Sequence, residues 1–158
     1  MYQRILVPVD GSAPSKRALD EAISVAKLTG AQVRVVHVID EPFMALGVDG
    51  FSSSPGDIIE LMQEAGRCIV GDAVGKVRAA GVACDSALAD SLHGRVCDLV
   101  ADEARRWQAN LIVIGTHGRH GVARAVLGSD AEQLLRVSPV PVLLVHADPL
   151  PEPGQARR

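Results

Sequence analysis

Apolar residues are distributed along the chain in two alternating rhythms. Short runs rich in β-branched residues stand at 5–9 (ILVPV), 32–39 (QVRVVHVI), 110–114 (NLIVI) and 140–146 (VPVLLVH), with a weaker one at 82–89 that Asp85 and Ser86 interrupt. Runs of this kind are strands buried on both faces of a parallel sheet. Between them, apolar positions recur at helical spacing: Ala18, Leu19, Ala22, Ile23 and Ala26; Ile58, Met62, Ala65, Ile69, Ala73 and Val77; Val96, Leu99, Val100, Ala104 and Trp107; and then residues 129–137. Ser12 or Ser15 caps the first of these helices, Gly30 and Gly81 end the first two, and Ser138-Pro139 breaks the last. Pro8 removes one ladder donor from the first strand. Strand followed by helix, repeated to a fifth strand, predicts one α/β domain with an open five-stranded parallel sheet and helices on both faces.

Two segments depart from this regularity. Residues 40–55 carry Pro42, Gly47, Gly50, three consecutive serines and Pro55, longer than most connections and suited to a lid or an interaction loop. Gly66, Gly71 and Gly75 fall inside the second helix, where each costs up to ~1 kcal/mol relative to alanine; close packing or modest local stability is expected there.

The stretch 110–132, NLIVIGTHGRHGVARAVLGSDAE, carries the candidate chemistry. A strand ends at Gly115 in a glycine-punctuated basic loop, which stops at Gly128-Ser129 where a helix begins. Glycines let backbone approach an anion, and the open amides and dipole of a helix N-terminus favour negative charge. Gly115 and Gly118 admit a second reading, as turn glycines at positive φ. Ser129 and Glu132 stand in capping-box relation, and a hydroxyl bonded to its own helix is less free for a phosphate. Asp130 suits the helix dipole, yet pointing into the loop it repels a triphosphate or calls for a bridging divalent cation. Arg119, His120 and Arg124 either offset that charge or are simply solvated. Asp10 in Asp10-Gly11-Ser12 is either an Asx-turn acceptor or a ligand contact. His37, set among valines, reads as structural.

The Gly-x2-Gly-x9-Gly-Ser spacing, with YQRILVPVDGS at the start, VRVVHVID at the second strand, GTHGR, and GSDAEQLLRVSPVPVLLV at the close, resembles the ATP-binding branch of the universal stress protein family, in register over residues 1–145. The resemblance implies a Rossmann-like domain over residues 1–146 with strand order 3-2-1-4-5, leaving 147–158 as an unstructured tail. In that order the first and fourth strands adjoin and their connections leave to opposite faces, which makes their C-terminal ends the ligand crevice. By the same resemblance the nucleotide-binding residues are Pro8, Val9, Asp10, Val38, Gly115, Thr116, His117, Gly118, Arg119, Gly128, Ser129 and Asp130. ATP is the ligand, with Mg²⁺ or Mn²⁺ bridging its phosphates. A homodimer is implied through Val140, Val142, Leu143, Leu144 and Val145, an apolar edge that pairing would cover. Two departures stand out: Asp130 replaces a small apolar residue, and Ser91-Leu92-His93-Gly94 stands where the family has Gly-x-Pro.

Composition narrows the function class. A net charge of −3 argues against a broad basic face for nucleic acid. Cys68, Cys84 and Cys97 are odd in number and lack C-x-x-C spacing, which fits reduced thiols rather than disulfides or zinc. No export signal or membrane segment is evident, so the cytoplasm is expected. No Gly-x-x-x-x-Gly-Lys-Ser/Thr loop, Gly-x-Ser-x-Gly elbow or His-Glu-x-x-His helix occurs, and no nucleophile and base pair by spacing. The sequence therefore predicts a nucleotide-dependent stress-response module with no catalytic residues. Its rivals are a nucleotide-free interaction protein that recruits a partner, and a slow ATPase or autophosphorylating protein.

Overall fold

The computed structural model describes residues 2–39, 55–91, 94–116 and 128–146. The strands are β1 (Arg4–Pro8), β2 (Gln32–Ile39), β3 (Cys84–Asp90), β4 (Leu111–Gly115) and β5 (Val142–Val145). The helices are α1 (Ala13–Thr29), α2 (Pro55–Ala79), α3 (Val96–Trp107) and α4 (Ser129–Val137). All five strands are parallel, in the order β3-β2-β1-β4-β5.

Strand alternation divides the core in two. Ile5, Val7, Val33, Val35, Leu111 and Val113 point to one face, where Ala18, Leu19 and Ala22 of α1 and Ala73 and Val77 of α2 cover them. Leu6, Val36 and Ile112 point to the other, against Val100, Ala104 and Trp107 of α3 and Leu134 of α4. With few aromatics to bury, both layers are aliphatic. β1 therefore sends its chain to one face and β4 to the other, opening the sheet between them at its C-terminal edge.

Helix ends explain where the strands begin. Gly30 closes α1 at φ 71°, its N–H donating to the Ala26 carbonyl. Gly81, at φ 79°, turns the chain out of α2, and the Val82 amide reaches back to the Val77 carbonyl. Val82 thus belongs to the helix cap, and β3 starts at Cys84 rather than at residue 82. Asp85 and Ser86 do not interrupt β3, which pairs continuously with β2 from Cys84 to Asp90. Asp85 accepts both ends of the Arg34 guanidinium fork at 2.7 Å, and Arg34 also donates to the buried carboxylate of Glu103 at 2.8 Å while lying over the Trp107 ring. The pair raises the Arg34 pKa, with Asp85 the larger cause.

The glycines of α2 divide between the two expectations. A side chain at Gly66 would meet the His37 ring at 3.0 Å, so close packing holds there, whereas Gly71 and Gly75 face open space. At the far edge of the sheet β5 is shorter than residues 140–146. Val140 is tied into a turn with Ser138, whose hydroxyl donates to its carbonyl at 2.7 Å, and it lies outside the strand. Every residue of β5 remains half-buried.

Candidate functional site

At the end of β1 the ladder survives Pro8, because the next amide, Val9, donates to the Val36 carbonyl at 2.8 Å. The His37 ring holds that corner from behind, with Nδ1 2.7 Å from the Val9 carbonyl, and is buried as a structural histidine should be. The chain then turns through Gly11 at φ 81°, a conformation glycine adopts without strain. The Asp10 carboxylate accepts the Ser12 amide at 2.9 Å, which makes the Asx turn. Ser12 caps α1 by accepting the Ser15 amide, and the Ser15 hydroxyl in turn accepts the Asp10 amide at 3.2 Å. Three short-range hydrogen bonds close the turn on itself.

Gly115, at the end of β4, is required for space. It is absent from the glycines at positive φ. A Cβ there would lie 2.7 Å from the carbonyl carbon and oxygen of Pro14, far inside contact distance. The missing side chain lets the first turn of α1 ride directly over the end of β4.

Thr116 is buried, and both of its backbone groups are committed. Its amide donates to the Val145 carbonyl at 2.9 Å, and its carbonyl accepts the Gly128 amide at 2.7 Å. The two ends of segment 117–127 are thereby joined by one hydrogen bond. Gly128 is the N-cap of α4 in extended geometry (φ −58°, ψ 143°), and its carbonyl takes the first helical bond, from Glu132, at 2.9 Å. Ser129 is then the first helical residue, and the capping box expected with Glu132 does not form. The helix begins one residue too early for it, and Glu132 instead pairs with Arg136 at 2.8 Å. No side chain among the described residues caps α4, and Gly128, Ser129 and Asp130 at its start line the crevice.

That crevice is lined by Pro8, Val9, Asp10, Val38, Gly115, Gly128, Ser129 and Asp130, which unites eight residues singled out by sequence. Thr116 is not part of the lining; it holds the loop base. His117, Gly118 and Arg119 lie outside the described residues, as do His120 and Arg124. Ser15, Val36, Val96, Val100, Ile114 and Ala131 also line the crevice and were missed by sequence. Three had a readable signal: Val36 shares a strand face with Val38, and Val96 and Val100 are one helical turn apart. The cavity lining combines apolar valines and Ile114 with Asp10, Ser15, Gly128, Ser129 and Asp130.

Charge at the rim is arranged between α3 and α4. Arg95 pairs with Asp98 at 2.8 Å and lowers its pKa. Burial raises the Cys97 thiol, Asp98 adds to the effect, and Asp130 contributes from across the gap. Among the described residues no three acidic, histidine or cysteine side chains come together as a metal site, and no helix is long and apolar enough to cross a membrane.

Comparison with known proteins decides what this arrangement belongs to. The profile of the universal stress protein family matches residues 1–146. The chain belongs to that family. A universal stress protein of Methanocaldococcus jannaschii is 35% identical over 150 residues, covering 92% of this chain and 82% of its own. A universal stress protein of Burkholderia pseudomallei has a solved structure that superposes with a TM-score of 0.71 at 30% identity, covering 91% of this chain and 96% of its own. A universal stress protein solved in complex with cAMP superposes at 0.68 with 26% identity, covering 93% of this chain and 99% of its own. Fold, strand order and family thus agree with the landmarks in the sequence.

Proposed function

We propose that this universal stress protein binds ATP in the crevice between β1 and β4 and acts as a nucleotide-dependent regulatory module of the cytoplasm. One observation carries the reading: a single crevice joins the apolar Val36, Val38, Val100 and Ile114 to a helix N-terminus that no side chain among the described residues caps. The apolar lining suits a flat heterocycle, and the first-turn amides of α4 suit a phosphate. A family member that carries cAMP supports the same ligand class.

In this reading Pro8, Val9 and Val38 flank the adenosine, Asp10 offers its carboxylate to the ribose, and Gly128 and Ser129 meet the phosphates. His117, Gly118 and Arg119 are assigned by their spacing alone. Mg²⁺ or Mn²⁺ bridges the phosphates, with Asp130 the nearest carboxylate able to share it. The folded unit is residues 1–146, and β5 pairs with its twin in a homodimer through Val142, Leu143, Leu144 and Val145, with Val140 beside the strand. Each of those strand residues stays half-buried in the single chain, leaving apolar surface for a partner strand.

Isothermal titration with ATP, with and without Mg²⁺, beside a Gly118→Val variant, tests the proposal. Binding that the variant abolishes upholds it. A specific observation favours a second reading: Asp130 lines the crevice and the first turn of α4 carries two carboxylates. If no nucleotide binds, the chain is a nucleotide-free interaction protein on the same fold. Phosphate release during the titration would instead identify the slow ATPase.

A further inference from the structure

Ser15 occupies an unusual position for a hydroxyl. It is 6% exposed, lines the crevice, and accepts the Asp10 amide at 3.2 Å. Its own hydrogen is donated to no group among the described residues. A buried hydroxyl with an idle donor carries a desolvation cost that a matching acceptor would remove. The acceptor bond from Asp10 fixes the oxygen, and the close contact of Pro14 with Gly115 fixes the helical turn that bears it.

We propose that Ser15 is a ligand-binding residue that donates its hydroxyl hydrogen to an oxygen of the bound nucleotide, either a ribose hydroxyl or a phosphate oxygen. The inference rests on nucleotide binding in this crevice. Ser15 lines the cavity and is bonded to Asp10, the residue read as meeting the ribose, so the sugar and its phosphate, rather than the base, lie within its reach. Ser15 and Ser129 then approach the ligand from two different helices, α1 and α4, on opposite sides of the Gly115 strand end. The Ser15 donor is fixed before the ligand arrives, which limits the ordering cost of the new bond.

The test is a cycle between protein and ligand variants. Wild type, Ser15→Ala and Ser15→Cys are titrated with AMP, adenosine, 2′-deoxy-AMP and 3′-deoxy-AMP. The cysteine variant keeps the side-chain volume and a weak acceptor for Asp10 but donates poorly, and it serves if the alanine variant does not fold. The expected result is a three- to tenfold loss of AMP affinity, the worth of one hydrogen bond. That loss disappears with the one analogue that lacks the accepting oxygen: adenosine for a phosphate, or one of the deoxynucleotides for a ribose hydroxyl. A loss of equal size with all four ligands would mean that Ser15 acts only by holding Asp10, and would overturn the proposal. Unchanged AMP affinity in both variants would overturn it as well. If wild type binds neither ATP nor any of these ligands, the nucleotide reading fails and this inference fails with it; if it binds ATP and none of the four, this inference alone is overturned.

Discussion

The two helix N-termini that flank the crevice are built in opposite ways. At α1 the turn is closed by its own side chains, with Asp10, Ser12 and Ser15 each taking an amide from the others. At α4 the cap is Gly128, which has no side chain to offer, and the exposed Ser129 and Asp130 follow. One wall is shaped before any ligand arrives. The other keeps its first-turn amides for an acceptor from outside, whether water or an anion. In the nucleotide-binding reading proposed for this crevice, the rigid side sets position and the open side supplies attraction.

The most damaging way to break the contrast is to lift the rigid wall off the sheet. Gly115→Ala places a Cβ against the Pro14 backbone and should cost about 2–3 kcal/mol, in the range of overpacked cores. Calorimetry should record this as a fall in Tm of roughly 4–12 °C. An unchanged Tm would mean that α1 moves aside freely and that the wall is not rigid. Next in size is a matched pair. Ser12→Ala removes a cap and should cost about 1 kcal/mol in urea melts, whereas Ser129→Ala should stay within about 0.5 kcal/mol; equal losses would erase the distinction between the helices.

A smaller effect sharpens the open side. Asp130→Ala should lower stability by only a few tenths of a kcal/mol, the weak end of helix-dipole effects. It should tighten ATP more than AMP, because the repulsion scales with phosphate charge; titration of both nucleotides checks this. Smallest is the rim. Arg95 holds the Asp98 pKa below its usual 3.8, so that the ionised carboxylate stabilises the fold above this pH and the contribution is lost as pH falls through the lowered value. Asp98→Asn should flatten the stability profile as pH falls below 3.8, and an identical profile would show the pair to be idle.

Most of the fold was legible because periodicity is a property of the chain itself. Valine and isoleucine runs marked strands, i,i+4 apolar spacing marked helices, and the family landmarks ordered the sheet. What escaped depends on meetings between distant segments. Nothing local to Gly115 reveals that Pro14, a hundred residues earlier in the sequence, will lie against it, so the position reads as a turn glycine. Ser129 has every mark of a cap, and only the hydrogen bond from Gly128 to Thr116 sets the chain into the helix one residue sooner. Val82 looks like a strand residue by type, but the Gly81 turn commits its amide to α2. Asp85 looks like a strand breaker until Arg34 is seen beside it. Ser15 carries no signal in sequence beyond that of a helix start.

The hydrogen bond that joins Thr116 to Gly128 also bears on how the chain can change over evolutionary time. Thr116 and Gly128 are held at one bond's length, and the entropy of closing a flexible chain between two such points grows only logarithmically with its length. Doubling it costs about 0.6 kcal/mol. Insertions, deletions or wholesale replacement between those two residues would therefore leave the sheet nearly indifferent. The scaffold on either side of those two residues stays as it is.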